Sequence, residues 1–455
     1  MPHQLKRAGF FAFSVFTLLF FHSILFSTIS AQNDKKQKEH PVWSKNISIY
    51  EVNLRQYTKE GTLKAFASHL PKLKKMNVGI LWFMPINPIG ELNRKGTLGS
   101  YYSVKDYTAL NPEFGTLADF EAIVKQAHKL GMYVIIDWVA NHTSWDNVWM
   151  KSHPEFYTKD KEGKFVSPFD WSDVADLNYD NKELWNAMRD AMKFWLDECN
   201  IDGFRCDVAS MVPLEFWTWV RPQLEAKKKI FMLAEATEPE LHEAFDMTYG
   251  WQLKDLFVGV GKKEKNASDF YNHFEKEKAE YPKDAYRMTF TSNHDENSWN
   301  GTDKERFGDA RQMFAILSNI VPGMPLVYSG QEADLDKRLL FFEKDPIEWK
   351  QSEMRNLYTQ LFDLKKNNKA LWNGESGGEF RKVVTNKESV FSFVRENAGK
   401  KIFALFNISG VPVEVQLKDE IAVGVYKDFI SDKKSVVDKN YSAKLGAWGY
   451  KLLYK

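Results

Sequence analysis

From about residue 47 to 375, short apolar runs alternate with amphipathic stretches, the rhythm of a parallel sheet joined by crossover helices. The strand-like runs are Ser48–Leu54, Gly79–Met84, Tyr133–Val139, Gly203–Asp207, Ile230–Glu235, Phe245–Tyr249, Met288–Ser292 and Pro325–Ser329. Between them lie helical patterns such as Leu117–Leu130, Lys182–Glu198 and Pro213–Lys228. Such a series predicts an α/β chain whose strands close into a (β/α)8 TIM barrel, with the chemistry at the C-terminal ends of the strands.

Two segments break the alternation. Residues 141–181, after the third strand, lack helix–strand rhythm and are rich in Trp, Tyr, Phe, Pro and Asp, so they read as an excursion from the barrel. Beyond Gly377 the runs become short and alternating, as in Ser389–Arg395, Lys401–Phe406 and Val411–Leu417, which predicts a C-terminal antiparallel β-domain over 376–455. The barrel domain is then expected over 32–375. At the other end, Lys6 and Arg7 precede an apolar run from Ala8 to Phe26, a small-residue stretch to Ala31 and the polar segment Gln32-Asn33-Asp34-Lys35. That is the layout of a secretory signal peptide over 1–31, and the run is long enough for an uncleaved anchor as the alternative. It implies a secreted or periplasmic location.

With a net charge of +1, nothing in the chain favours a nucleic-acid partner. Two cysteines, Cys199 and Cys206, do not make a disulfide scaffold in an exported chain and read as buried small side chains. Trp138, Trp145, Trp149 and Trp299 lie near the loops that extend from the strand ends. Each is either core packing or a flat platform for a sugar ring.

The strand ends carry the chemistry. The third run leads into Asp137-Trp138-Val139-Ala140-Asn141-His142, and the fourth ends Arg205-Cys206-Asp207. The fifth ends at Glu235, and the seventh leads into Asn293-His294-Asp295. Residues i and i+2 of a strand share a face, so Arg205 and Asp207 project together, and the guanidinium is expected to depress the Asp207 pKa. A lone acidic strand end is usually a cap or an ion-pair partner. Four on one rim repel one another and split their pKa values, which is what a two-carboxylate glycosidase needs.

These segments, in this order, resemble the signature regions of the α-amylase family of glycoside hydrolases, and Ala175-Asp176-Leu177-Asn178 resembles a further one. The excursion then corresponds to that family's domain B. The resemblance implies that Asp207 is the nucleophile, Glu235 the general acid and base, and Asp295 a third carboxylate that favours distortion of the sugar. It also implies that Arg205 orients Asp207, that Asp137 braces Arg205, that His142 and His294 donate to the sugar, and that Tyr102 stacks on it. A structural calcium held by Asn141 and Asp176 is implied too. The alternative is that these two residues tie domain B down by hydrogen bonds.

The activity so implied is retaining hydrolysis of α-1,4-glucosidic bonds in starch, maltodextrins or related oligosaccharides. Where many relatives follow the nucleophile with Lys and His, this chain has Val208-Ala209-Ser210-Met211, so the leaving-group side is built differently. Action on α-1,6 bonds and glycosyl transfer are the enzyme alternatives. A non-catalytic glycan-binding protein is the remote one, since such relatives lose carboxylates that this chain keeps. Oligomeric state is left open.

Overall fold

A computed structural model describes residues 38–455; the leader or anchor expected over 1–31 lies outside the described residues. The barrel strands are β1 (Ile49–Val52), β2 (Ile80–Phe83), β3 (Tyr133–Trp138), β4 (Gly203–Cys206), β5 (Phe231–Ala234), β6 (Met247–Tyr249), β7 (Tyr286–Thr289) and β8 (Met324–Tyr328). They close in the order β1-β8-β7-β6-β5-β4-β3-β2, with neighbouring strands parallel. Each expected strand is present, with ends that shift by a residue or more.

Strand side chains alternate between two buried surfaces, so the runs read as continuously apolar. Ile49, Ile80, Trp82, Ile135, Phe231, Leu233, Met288 and Leu326 point inward and fill the barrel. Their neighbours Tyr50, Leu81, Val134, Phe204 and Met232 point outward, under helices such as Leu117–Lys129 and Lys182–Glu198. Cys206 and Cys199 belong to this outer layer, both buried and neither in a disulfide.

The excursion is held to the barrel rim by two short antiparallel strands, His142–Ser144 and Val174–Asp176. The C-terminal part contains strands β9 (Glu379–Lys382), β10 (Val390–Asn397), β11 (Lys400–Asn407), β12 (Val413–Gln416), β13 (Gly424–Asp428), β14 (Lys434–Val437), β15 (Ser442–Leu445) and β16 (Tyr450–Tyr454). Six of them form the sheet β9-β10-β11-β16-β13-β14, while β12 pairs with β15. Arg395 of β10 is buried and donates to the carbonyls of Ile320 and Val321, 2.9 and 2.8 Å away, at the C-terminus of the helix Arg311–Ile320. A cation meeting the carbonyl end of a helix is favourable, and the contact fastens the sheet to the barrel wall.

Candidate active site

Asp207 and Glu235 stand one residue beyond their strands, yet the barrel ladder still holds their backbones. Asp207 N–H donates to Trp138 O at 3.0 Å, and Glu235 N–H donates to Cys206 O at 2.9 Å. Both carboxylates are therefore set by the barrel wall rather than by a loose loop. Asp295 is reached differently: β7 stops at Thr289, and Asn293-His294-Asp295 lie in the turn after it.

Arg205 is the hub. Fully buried, it places Nη1 2.8 Å from Asp137 Oδ1 and 3.1 Å from Asp207 Oδ1. Its Nη2 lies 2.7 Å from Glu235 Oε1, and its Nε donates to the Tyr249 hydroxyl at 3.1 Å. Asp137, paired in register with Arg205 across β3 and β4, braces the guanidinium from beneath. The Trp82 indole also donates to Asp137, at 3.1 Å.

One expectation is reversed by this geometry. Burial and the neighbouring Glu235 push Asp207 well above the usual carboxylate range, and Arg205 only partly offsets them. Burial also lifts Glu235, but Arg205, the Val208 N–H at 2.9 Å and His294 bring it net below its ordinary value. The guanidinium approaches Glu235 more closely than Asp207, and each carboxylate feels the charge of the other. Burial and the mutual repulsion of the two carboxylates favour one proton on the pair. Val208 supplies its N–H from a left-handed backbone (φ 36°), a costly conformation for a β-branched residue.

The histidines are not equivalent. Burial lowers His142 to about 4, so its ring is neutral; Asn141 Nδ2 donates to its Nδ1 at 3.2 Å, which leaves Nε2–H as the donor. His294 is raised to about 9: burial alone would lower it, but Asp295 and Glu51 more than compensate. Tyr102 stacks on His294 with ring centres 5.4 Å apart, and its hydroxyl lies 2.7 Å from His294 Nε2.

Asp207, Glu235, Asp295, Tyr102, His142 and His294 line one cleft of about 330 Å³, and Arg205 lies directly beneath its carboxylates. Among the four tryptophans, Trp299 faces this cleft, while Trp138 is buried in the core and Trp149 packs on Tyr107 and Phe156. Trp145 donates its indole N–H to Ser172 O within the excursion. Trp171, Phe341, Phe342, Lys95 and Asp173 also line the cleft, and sequence reasoning missed them. The adjacent pair Phe341-Phe342, apolar in an otherwise polar loop, was the available signal.

Asn141 and Asp176 lie close together where the resemblance implies calcium. Calcium takes about 6–8 oxygen ligands; Asn141 turns its amide nitrogen to His142, and burial raises the single Asp176 carboxyl. Among the described residues, no group of three or more His, Cys, Asp or Glu is arranged to hold an ion. The Asn141 backbone carbonyl accepts the Leu177 N–H at 3.1 Å, and Asp176 pairs with His142 across the two short strands, so both fasten the excursion.

Comparison with known proteins agrees with this geometry. Residues 31–168 and 154–380 match the family model of the alpha-amylase catalytic domain. An alpha-amylase from Lactobacillus plantarum superposes with a TM-score of 0.81 at 30% identity, over 91% of this chain and 99% of that one. A noncanonic maltogenic alpha-amylase from Thermotoga neapolitana gives 0.82 at 30% identity, over 90% and 98%. Alpha-amylase 2 of Dictyoglomus thermophilum is 25% identical over 447 residues, covering 86% of this chain and 74% of the relative. A closed barrel with carboxylates at the ends of β4 and β5, matched by family model and by structure, makes this chain a glycosidase that belongs to the alpha-amylase family.

Proposed function

We propose that the protein hydrolyses α-1,4-glucosidic bonds of maltodextrins or related α-glucans with retention of configuration, through a glycosyl intermediate on Asp207. The observation that carries this reading is the shared grip of Arg205 on Asp207 and Glu235. Inverting enzymes separate their carboxyls by about 6.5–9.5 Å to admit a water between them. Two carboxyls drawn onto one guanidinium, at 3.1 and 2.7 Å, favour the closer spacing of about 5–5.5 Å that retention needs.

In this scheme the sugar ring lies on Tyr102, with His142 Nε2–H donating to a hydroxyl. As the glycosidic oxygen reaches Glu235, the one proton of the pair comes to Glu235. Glu235 then holds the proton and Asp207 becomes the carboxylate. Glu235 protonates the leaving oxygen while Asp207 attacks the anomeric carbon. Water, activated by the now ionised Glu235, later releases the sugar and regenerates the acid. Asp295, half-buried in the lining of the cleft, stabilises positive charge developing on the ring.

Incubation with starch, pullulan, cyclodextrins and isomaltose, followed by product chromatography and an NMR time course, tests this reading. The expected result is release of maltooligosaccharides as the α-anomer. First release of the β-anomer contradicts the mechanism. Cleavage of isomaltose in preference to starch contradicts the linkage.

We further propose export, supported by the charge and apolar pattern of residues 6–31. N-terminal sequencing of the mature protein should begin at Gln32. A mature chain that keeps residues 1–31 would establish the anchor instead.

A further inference from the structure

Glu51 interrupts the apolar run Ile49-Tyr50-Glu51-Val52 of β1, and its side chain is fully buried. A buried carboxylate is costly unless it is paired. Glu51 Oε1 lies 2.5 Å from His294 Nδ1, whereas its Oε2 has no hydrogen-bond partner among the described residues. Nearly all compensation for the buried charge therefore comes through one imidazole. On the other side of that ring, Nε2 faces the Tyr102 oxygen at 2.7 Å and Asp295 Oδ2 at 3.2 Å. The Tyr102 hydroxyl in turn donates to Asp137 Oδ2 at 3.1 Å.

These contacts are compatible in one protonation state. A doubly protonated His294 donates Nδ1–H to Glu51 and Nε2–H to Tyr102, which frees the Tyr102 proton for Asp137. A neutral His294 with its proton on Nδ1 would turn Nε2 into an acceptor. It would compete with Asp137 for the Tyr102 proton and face the Asp295 carboxylate with a lone pair.

We propose that Glu51 is a positioning residue that keeps His294 doubly protonated, and thereby holds Tyr102 over the sugar and Asp295 as a charge-balanced carboxylate. The role rests on the retaining mechanism proposed for this cleft and adds to it a residue from β1 that touches no substrate.

The groups around His294 act together. Glu51 from β1 and Asp295 from its own turn favour the cation, while Arg205 from β4 opposes it. Asp137 from β3 and Glu235 from β5 feel its charge in return, and Tyr328 from β8 packs near Glu51 as a neutral phenol. Burial lifts the Glu51 carboxyl above its ordinary range, with His294 the strongest pull back down. Raised to about 9, His294 is charged below that pH and loses its proton above it.

The test is an NMR titration of imidazole-labelled full-length protein, with the His294 signal assigned from its loss in His294→Gln. In the wild type His294 should titrate near 9. In Glu51→Gln the titration should fall by about 1–3 pH units, and the alkaline limb of kcat/KM on maltodextrin should fall with it while the acid limb stays. A merely structural Glu51 would lower activity at every pH without moving either value. An unmoved His294 titration in Glu51→Gln overturns the proposal. Should that variant not fold, a wild-type His294 that titrates near the ordinary histidine value overturns it as well. The titration does not depend on turnover, so a failure of the proposed substrate reading shows separately, as absent activity with an intact His294 shift.

Discussion

Replacing Asp207 with Asn is expected to reduce turnover of α-glucans by about 10⁴-fold or more, the scale seen when a covalent nucleophile is removed. The amide keeps the size of the carboxyl and cannot form the glycosyl ester. The fold should survive, because the backbone of residue 207 stays pinned to Trp138 O and Arg205 keeps Asp137 and Glu235 as partners. Initial rates on maltodextrin, taken with the thermal midpoint of each protein, check both halves of the statement. An Asn variant that retains wild-type turnover would remove Asp207 from the chemistry.

The second large effect is expected at Glu235. Glu235→Gln removes the acid, and general acid catalysis supplies about 10²–10⁴-fold. The loss should therefore depend on the leaving group. On maltodextrin, whose departing oxygen must be protonated, it should be of that full size. On a glycosyl fluoride, whose leaving group departs without a proton, formation of the intermediate should be nearly spared, while its hydrolysis, which needs Glu235 as base, should be slow. An equal loss on both substrates would mean that Glu235 binds or positions rather than transfers protons.

The barrel was readable because strands buried on both faces appear as unbroken apolar runs, and because a charged residue at the end of such a run must find a partner or a purpose. Asp207 and Glu235 were legible for that reason. Arg205 was legible too, sharing a strand face with Asp207. What its guanidinium does was not. The expectation that it depresses Asp207 rested on neighbours in sequence, whereas the guanidinium also reaches Glu235, with Nη2 2.7 Å away, from the adjacent strand. Register between parallel strands sets that contact, and no single strand carries the information.

Glu51 illustrates a signal present and passed over. A lone acidic residue inside a four-residue buried strand is as anomalous as a carboxylate at a strand end, and it points to a buried partner. The calcium expectation rests on a different kind of signal. Asn141 and Asp176 come close, as the resemblance implies, and the Asn141 amide nitrogen faces His142, but no second carboxylate or imidazole joins Asp176 among the described residues. The cleft aromatics Trp171, Phe341 and Phe342 lie on loops without periodicity, where only three-dimensional placement separates a sugar-facing ring from a packing one.

A nucleophilic Asp207 must become bonded to the sugar during turnover, and that bond can be captured. Glu235→Gln incubated with α-maltosyl fluoride should form the glycosyl ester quickly and lose it slowly, so the adduct should accumulate. Acid quenching, proteolysis and mass spectrometry of the peptides then locate it. The expected finding is a maltosyl group on the peptide that contains Asp207, absent when Asp207 is also changed to Asn. A maltosyl group on Asp295 instead, or fluoride release with no adduct and an inverted product, would contradict a nucleophilic Asp207.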